Sequence, residues 1–176
     1  MIEPLTIPGA FRVGGVVAHD QRGSFRKILD TVADDIPTDF RELTEVAISH
    51  NSVAGTVRGL HWQADPFGQT KIVWAASGRV IDVLVDVRPD SPAYGSWVSV
   101  ELVAEEASGV LVPTGVAHGF QTLDDDTSVV YLMRGGYSPA NARTLRFDDP
   151  TVAVDWPLPV SVISENDRLG AAWPVS

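Results

Sequence analysis

Apolar and polar residues alternate in short runs along most of the chain, the pattern of β-strands that bury one face. The clearest run, VIDVLVDV at residues 80–87, places Ile81, Val83, Val85 and Val87 on one face and Asp82 and Asp86 on the other. Gly, Pro and Asp residues separate runs of this kind. The pattern predicts strands near residues 12–18, 25–29, 43–50, 56–63, 71–76, 79–87, 97–103, 110–112, 128–134 and 143–147.

Helical patterns are scarce. Residues 31–37 could form one or two turns, and residues 164–171 predict a short C-terminal helix with Ser164 as its N-cap. Many short strands with little helix favour an all-β, antiparallel barrel or double-sheet jelly roll with short peripheral helices. No repeat, low-complexity segment or linker interrupts the chain, so residues 1–176 predict a single domain.

Composition narrows the functional classes. The chain has 176 residues, 44% hydrophobic and 20% charged, which are ordinary values for a globular protein. A net charge of −10 disfavours general binding to nucleic acid or to anionic membranes, although a local arginine cluster could still hold a small anion. The absence of cysteine excludes disulfides, thiolate nucleophiles and Cys-ligated zinc. With no secretory signal pattern and no long apolar run, we expect a cytoplasmic protein.

The stretch TVRGLHWQ at residues 56–63 departs from a simple core strand. It holds Arg58, His61 and Gln63 within six residues, with Gly59 between the first two. Glycine within a strand often marks a bulge or a close approach of two backbones. We therefore expect this strand to form the wall of a cavity.

Other ionisable residues strengthen that expectation. The chain has four histidines, and a lone histidine more often fills space and makes one hydrogen bond than binds a ligand. His61 and His118, however, lie on strands that are expected to be neighbours and are accompanied by Arg58, Lys71 and Tyr131. Because each unpaired buried polar group is costly, a core has no use for so many.

The segment PTGVAHGF raises the question of a metal. Metal-binding cupins use an H-x-H pair and a glutamate, followed by a later P-x-G-x-x-H, and Pro113, Gly115 and His118 match only that later part. The position two residues after His61 is Gln63, and no glutamate follows within reach. Two histidines without a carboxylate ligand would make a weak divalent site, so we expect no metal.

An ordered set of motifs resembles the dTDP-4-dehydrorhamnose 3,5-epimerase family. From roughly Arg22 to Asp167 the order of motifs is the family's: RGLHWQ, QTKIV, GRVIDVLVDVRPDSPAYG, PTGVAHGF, VVYLM, YSPAN, DDP, DWP and ISENDR. The resemblance implies a cupin-type jelly roll, a double-stranded β-helix, that epimerises nucleotide-linked 4-keto-6-deoxy sugars without a cofactor.

The resemblance also implies the catalytic roles. Removing a proton next to a ketone requires a base, a group that stabilises the enolate oxygen, and an acid on the opposite face. By resemblance His61 is the base and Asp167 orients it. Lys71 neutralises the developing oxyanion, with His118 nearby as a further polar contact, and Tyr131 is the acid.

The residues that bind the nucleotide follow in the same way. Arg22 and Phe25 are expected to reach the nucleotide of a neighbouring subunit, which implies a homodimer. Arg58 is expected to contact the diphosphate or the sugar, Gln63 to contact the substrate, and Tyr137 to stack on the base. The substrate is expected to be dTDP-linked.

Three positions depart from the family pattern and leave the substrate open. Lys27 replaces a glutamate, and Val46 and Ile48 replace a Gln-x-Asn pair. The base, the hexose and the choice between C3, C5 or both therefore stay undecided.

Three alternative functions also stay open. A 3,4-ketoisomerase of the same fold tends to carry a second histidine where this chain has Gln63. A non-catalytic sugar-nucleotide binding protein would need neither His61 nor Tyr131. A metal-dependent cupin oxygenase would need the missing ligands.

Overall fold

The structure, a computed structural model, describes residues 2–30 and 42–174. Its strands, in chain order, are β1 Ile2–Pro4, β2 Phe11–Gly14, β3 Val16–Asp20, β4 Gly23–Lys27, β5 Glu45–Asn51, β6 Thr56–Gln63, β7 Thr70–Ser77, β8 Arg79–Asp86, β9 Trp97–Val103, β10 Ser108–Val112, β11 Val116–Thr122, β12 Thr127–Arg134, β13 Ala142–Thr144 and β14 Val162–Ile163. A 3-10 turn spans Ala104–Glu106, and one short helix, α1, spans Glu165–Arg168.

Within these residues the strands form two large sheets and one hairpin. The first sheet has the order β1-β2-β10-β7-β12-β5, and the second has the order β13-β6-β11-β8-β9, with β14 added in parallel to β6. The other strand pairs are antiparallel, and β3 pairs with β4 as a separate hairpin. The predicted all-β, antiparallel double-sheet fold is confirmed.

The main core lies between the two sheets, and strand β8 is buried on both of its faces. Val80 and Leu84 pack inward against residues of β7, β9, β10, β11 and β12. Val83 and Val85 face the other way, where they pack against Trp97, Leu145 and neighbouring residues. Both faces of β8 are therefore buried. The carboxylate of Asp82, which shares the inward face, lies inside the molecule and not in solvent.

Most predicted strands match, and the differences have local causes. Strands β6 and β9 have the predicted bounds. The run predicted at 12–18 is divided at Gly15, whose N–H donates to the carbonyl of Ala107. Strand β11 is missing from the ranges that alternation predicts, because it is buried along its whole length. Its place beside the strand of His61 agrees with the expectation for His118. The short strands β1 and β14 were also missed.

The helix predictions fall into two cases. Helix α1 is shorter than predicted, but Ser164 caps it as expected, since its hydroxyl accepts a hydrogen bond from the N–H of Asp167 at 3.1 Å. The turns predicted at 31–37 lie outside the described residues. No helix within the described ranges is long and apolar enough to cross a membrane.

Two glycines allow β6 and β11 to approach closely where the site forms. A Cβ on Gly59 would lie 2.5 Å from the Cα of Gly119, and a Cβ on Gly119 would lie 2.6 Å from the carbonyl oxygen of Arg58. Gly59 also has a φ of +118°, which L side chains rarely adopt. The register of the two strands shifts beside this contact, between His118 and Phe120. The expected close backbone approach is therefore present.

We predict that Gly119→Ala lowers the free energy of unfolding by about 2 kcal/mol or more, because the new methyl group meets rigid backbone. Urea denaturation followed by tryptophan fluorescence measures the change. Gly136→Ala is the matched control, since a Cβ there meets no atom within 4 Å. Equal stability of Gly119→Ala and the wild type would show that the two strands can separate without cost.

Candidate active site

A cavity of about 770 Å³ opens between the two sheets. Its lining contains eight of the ten residues that the sequence analysis assigns to catalysis or binding: Arg58, His61, Gln63, Lys71, His118, Tyr131, Tyr137 and Asp167. The remaining two, Arg22 and Phe25, lie on the β3–β4 hairpin and do not line it. The predicted cavity wall at β6 is therefore present.

Both sheets contribute to the site. Strands β6 and β11 of the second sheet carry His61 and His118, which are directly opposite each other in the register. Strands β7 and β12 of the first sheet carry Lys71 and Tyr131. The rings of His118 and Tyr131 meet edge to face, with centroids 6.4 Å apart. His118 is thus a neighbour of both His61, across the strand pair, and Tyr131, across the ring contact.

His61 is held by a carboxylate from the far end of the chain. Its Nε2 atom lies 2.6 Å from Oδ1 of Asp167, and the second carboxylate oxygen accepts a hydrogen bond from the N–H of Gly59 at 3.1 Å. Asp167 is buried, while the side chain of His61 stays 42% exposed to the cavity. A carboxylate at Nε2 favours the tautomer with a proton on that nitrogen, which leaves Nδ1 free to accept one.

The environment keeps Asp167 ionised. Burial alone would raise the pKa of its carboxyl group, but the hydrogen bond and charge of His61 and the N–H of Gly59 outweigh burial and lower that pKa. A permanent negative charge beside the imidazole orients the ring.

A second buried pair, which the sequence analysis did not assign to the site, involves Asp82. Nε2 of His118 lies 2.8 Å from Oδ2 of Asp82, and both side chains are buried. Burial raises the pKa of Asp82, and the nearby His118 and Lys71 oppose that rise. Its Oδ1 atom has no hydrogen-bond partner among the described residues. Asp82 lies within an otherwise apolar strand, and this position was the sequence signal that could have identified it as a site residue.

Lys71 and Tyr131 are both shifted by burial. Burial lowers the pKa of Lys71, while the charges of Asp82 and Glu45 act in the opposite direction. Burial raises the pKa of Tyr131 to about 12, although a hydrogen bond with Ser49 at 3.2 Å partly opposes the rise. The tyrosine therefore keeps its proton throughout the neutral range. For the lysine, burial makes the charged ammonium form less favourable than it is in water.

The predicted binding residues occupy different parts of the site. Nε of Arg58 donates to Asn51 at 2.7 Å, which fixes the guanidinium at the cavity wall. Tyr137 is 65% exposed at the cavity mouth, and Gln63 is buried. On the separate hairpin, Arg22 pairs with Asp20 at 2.6 Å and Phe25 is 70% exposed.

Residues 2–30 and 42–174 contain no group of three or more His, Asp or Glu side chains that could hold a metal ion. Each cavity histidine is paired with a single carboxylate. The expectation that the chain needs no cofactor stays a prediction.

Comparisons with known proteins give a consistent family. The family model described as dTDP-4-dehydrorhamnose 3,5-epimerase matches residues 4–174. A dTDP-4-dehydrorhamnose 3,5-epimerase from Sinorhizobium fredii is 48% identical over 64% of this chain and 58% of its own length. The enzyme of the same name from Mycobacterium tuberculosis is 39% identical over 88% of this chain and 76% of its own length.

A solved structure agrees in fold as well. A 3'-monoepimerase from Streptomyces bikiniensis, determined in complex with dTDP-quinovose, has a TM-score of 0.86 at 30% identity. The comparison covers 97% of this chain and 86% of the other.

We predict that Asp167→Asn lowers the free energy of unfolding by about 2 kcal/mol at pH 7, because it weakens charge-assisted hydrogen bonds. The folded carboxyl has a pKa below its ordinary value of 3.8, so its stabilisation is present above that value. It is lost as the pH falls through the folded pKa. Urea denaturation of both proteins across acidic and neutral pH measures this difference.

The difference between wild type and Asp167→Asn should therefore shrink in acid. Asp155→Asn, at an exposed carboxylate outside the cavity, is the control for the loss of one charge. A gap between wild type and Asp167→Asn that stays constant down to the lowest pH would contradict an ionised Asp167.

Proposed function

Because the chain belongs to the dTDP-4-dehydrorhamnose 3,5-epimerase family, we propose that it inverts C3, C5 or both of a nucleotide-diphospho-4-keto-6-deoxy sugar. The reaction removes a proton next to the ketone and returns a proton to the opposite face. The observation that carries the proposal is the cavity itself, which is lined by a carboxylate-held histidine from one sheet and a protonated tyrosine from the other.

His61 is the base in this proposal. Asp167 binds Nε2, so the unprotonated Nδ1 can take the proton from carbon. The imidazolium that forms then lies against an ionised carboxylate, which stabilises it without taking the proton. The half-exposed ring gives the substrate access to this nitrogen.

The enolate oxygen is stabilised by the cations in the middle of the cavity. Lys71 is the strongest candidate, because its ammonium is partly withdrawn from water and an adjacent negative charge would restore its preference for the protonated form. His118, whose Nε2 lies 2.8 Å from Oδ2 of Asp82, is a further polar contact in the middle of the cavity. We assign Asp82 a supporting electrostatic role, since its charge acts on both Lys71 and His118.

Tyr131 is the acid. A phenol with a pKa of about 12 keeps its proton until a strongly basic group, such as an enolate carbon, is close to it. The strand that carries Tyr131 belongs to the opposite sheet from β6. This placement supports protonation of the face opposite to His61.

The nucleotide end of the substrate is assigned to the cavity mouth. Arg58 can hold the diphosphate with its guanidinium fork, and Tyr137 can stack on the base. The dTDP-quinovose bound to the relative from Streptomyces bikiniensis supports a dTDP-linked substrate. Because the relatives include a 3,5-epimerase and a 3'-monoepimerase, the comparisons support both outcomes at the sugar.

We also propose a homodimer in which the β3–β4 hairpin completes the partner's site. Within the described residues the strands of the hairpin pair only with each other, while Val17 and Arg26 fix one side of it to the first sheet. Phe25 and Val16 remain exposed. Strand β5 lies at a sheet edge and exposes Val46 and Ile48. A second copy would cover these apolar side chains and bring Arg22 towards a bound diphosphate.

Deuterium exchange tests the proposed reaction. In D₂O with dTDP-4-keto-6-deoxyglucose, we expect deuterium at C3, C5 or both, with inversion at the same carbon, as followed by proton NMR. The labelled carbons report which centres react. A product with its carbonyl moved to C3 would indicate a ketoisomerase, and tight binding without exchange at any carbon would indicate a binding protein.

Variants of the base and the acid separate the two proton transfers. His61→Asn should lower both exchange and inversion by about 10³-fold, because no other group takes the proton. Tyr131→Phe should spare exchange on the first face and suppress inversion. His50→Gln, at an exposed histidine outside the cavity, is the control. Wild-type inversion by Tyr131→Phe would remove the tyrosine from the acid role.

The dimer has its own test. Light scattering at micromolar concentration should give twice the chain mass for the wild type. Val46→Asp, at an exposed residue of β5 that does not line the cavity, should shift the protein towards the monomer and lower activity. Val53→Asp changes an exposed valine in the loop that follows β5, outside the strand and the hairpin, and should leave the mass unchanged. A fully active wild-type monomer would contradict the shared site.

A further inference from the structure

Two buried glutamine side chains from another segment of the chain form hydrogen bonds with the turn that carries Tyr137. Residues 135–138 leave the end of β12 and form part of the connection to β13. Gly135 has a φ of +96°, and a Cβ there would lie 2.8 Å from the carbonyl oxygen of Gly68. The turn therefore lies directly against the segment between β6 and β7.

Gln63 makes three hydrogen bonds with backbone groups. Its Nε2 donates to the carbonyls of Phe67 at 2.7 Å and Gly136 at 3.1 Å, and its Oε1 accepts from the N–H of Ser138 at 2.6 Å. The side chain is 5% exposed. The last two partners flank Tyr137, so one amide fixes the backbone on both sides of the tyrosine.

Gln69 holds the beginning of the same turn. Its Nε2 donates to the carbonyl of Gly135 at 2.9 Å, and the side chain is also buried. The hydroxyl of Thr44 donates to the same carbonyl at 3.2 Å, so Gln69 shares this end of the turn with Thr44. Together the two glutamines bind backbone groups on both sides of Tyr137.

The position of the two glutamines in the sequence is informative. Gln63 ends β6 two residues after His61, and Gln69 precedes β7 two residues before Lys71. The turn itself begins where β12 ends, shortly after Tyr131. The same short turn is therefore connected to the strands that carry His61, Lys71 and Tyr131.

We propose that Gln63 and Gln69 are positioning residues that hold Tyr137 at the cavity mouth, where it receives the nucleotide base. The inference rests on the proposed function of the cavity. It differs from the expectation that Gln63 contacts the substrate directly, because both protons of its amide nitrogen are already donated to backbone carbonyls. Their effect on the substrate passes through the turn.

The experiment measures dTDP binding by calorimetry and the kcat and KM of epimerisation for Gln63→Met and Gln69→Met. Each should weaken dTDP binding and raise KM by about tenfold, the size of one lost base–aromatic stack, while kcat stays within about twofold. Both substitutions are repeated in a Tyr137→Ala background. Because the glutamines act through Tyr137, they should have no further effect on binding there.

Gln121→Met is the matched control. Gln121 is equally buried and holds a loop through two hydrogen bonds with the backbone of Leu158, but it does not line the cavity. Its loss should cost stability and leave dTDP affinity unchanged. If Gln63→Met does not fold, Gln69→Met alone tests the proposal, because it removes a single hydrogen bond.

A full loss of affinity that persists in the Tyr137→Ala background would overturn the positioning role and indicate direct contact. An unchanged dTDP affinity in both glutamine variants, with an active wild type, would overturn the positioning role alone. A wild-type protein that neither binds dTDP nor exchanges substrate protons would instead overturn the proposed function, and the inference with it.

Discussion

The hydrogen bond between Asp167 and His61 is the interaction on which the rest of the site depends. The two residues are 106 positions apart, so the bond forms only when the C-terminal segment returns across β6. Strand β14 pairs in parallel with the first residues of β6, and the Ser164 cap then starts the turn of helix that presents Asp167. The close contact of Gly59 with Gly119 shapes the strand at the same point. The proposed base is therefore complete only when the C-terminal segment has folded against β6.

The interior of the fold accepts an unusual amount of charge to build this site. Asp82, Lys71 and His118 lie where a β-sandwich usually places apolar side chains. Their opposite charges reduce the penalty of burial, but one oxygen of Asp82 still lacks a partner among the described residues. Polar groups that are fixed in advance need little rearrangement when charge develops on a substrate. We infer that this cluster lowers the stability of the fold and in return provides polar groups that are already in place for the reaction.

Alternation of residues predicted most of the strands and the all-β class, because period-two patterns follow directly from strand geometry. It could not show that the polar face of β8 is interior, since alternation gives two faces without saying which one water reaches. Strand β11 is buried on both faces and shows no alternation, so alternation did not predict its range.

For the site, the motifs located eight of the residues that line the cavity. The role of Asp82 and the saturation of Gln63 by backbone groups depend on contacts between distant segments, which no local pattern contains.

The central claim is that Asp167 holds His61 with Nδ1 free to accept a proton from the substrate. Nitrogen-15 NMR of histidine-labelled protein, recorded where the ring is neutral, distinguishes the two tautomers directly, and His61→Asn identifies the signals. We predict a proton on Nε2 and none on Nδ1 in the wild type, and we predict that Asp167→Asn loses this preference for the Nε2 tautomer. A neutral His61 ring that carries its proton on Nδ1 in the wild type would contradict it.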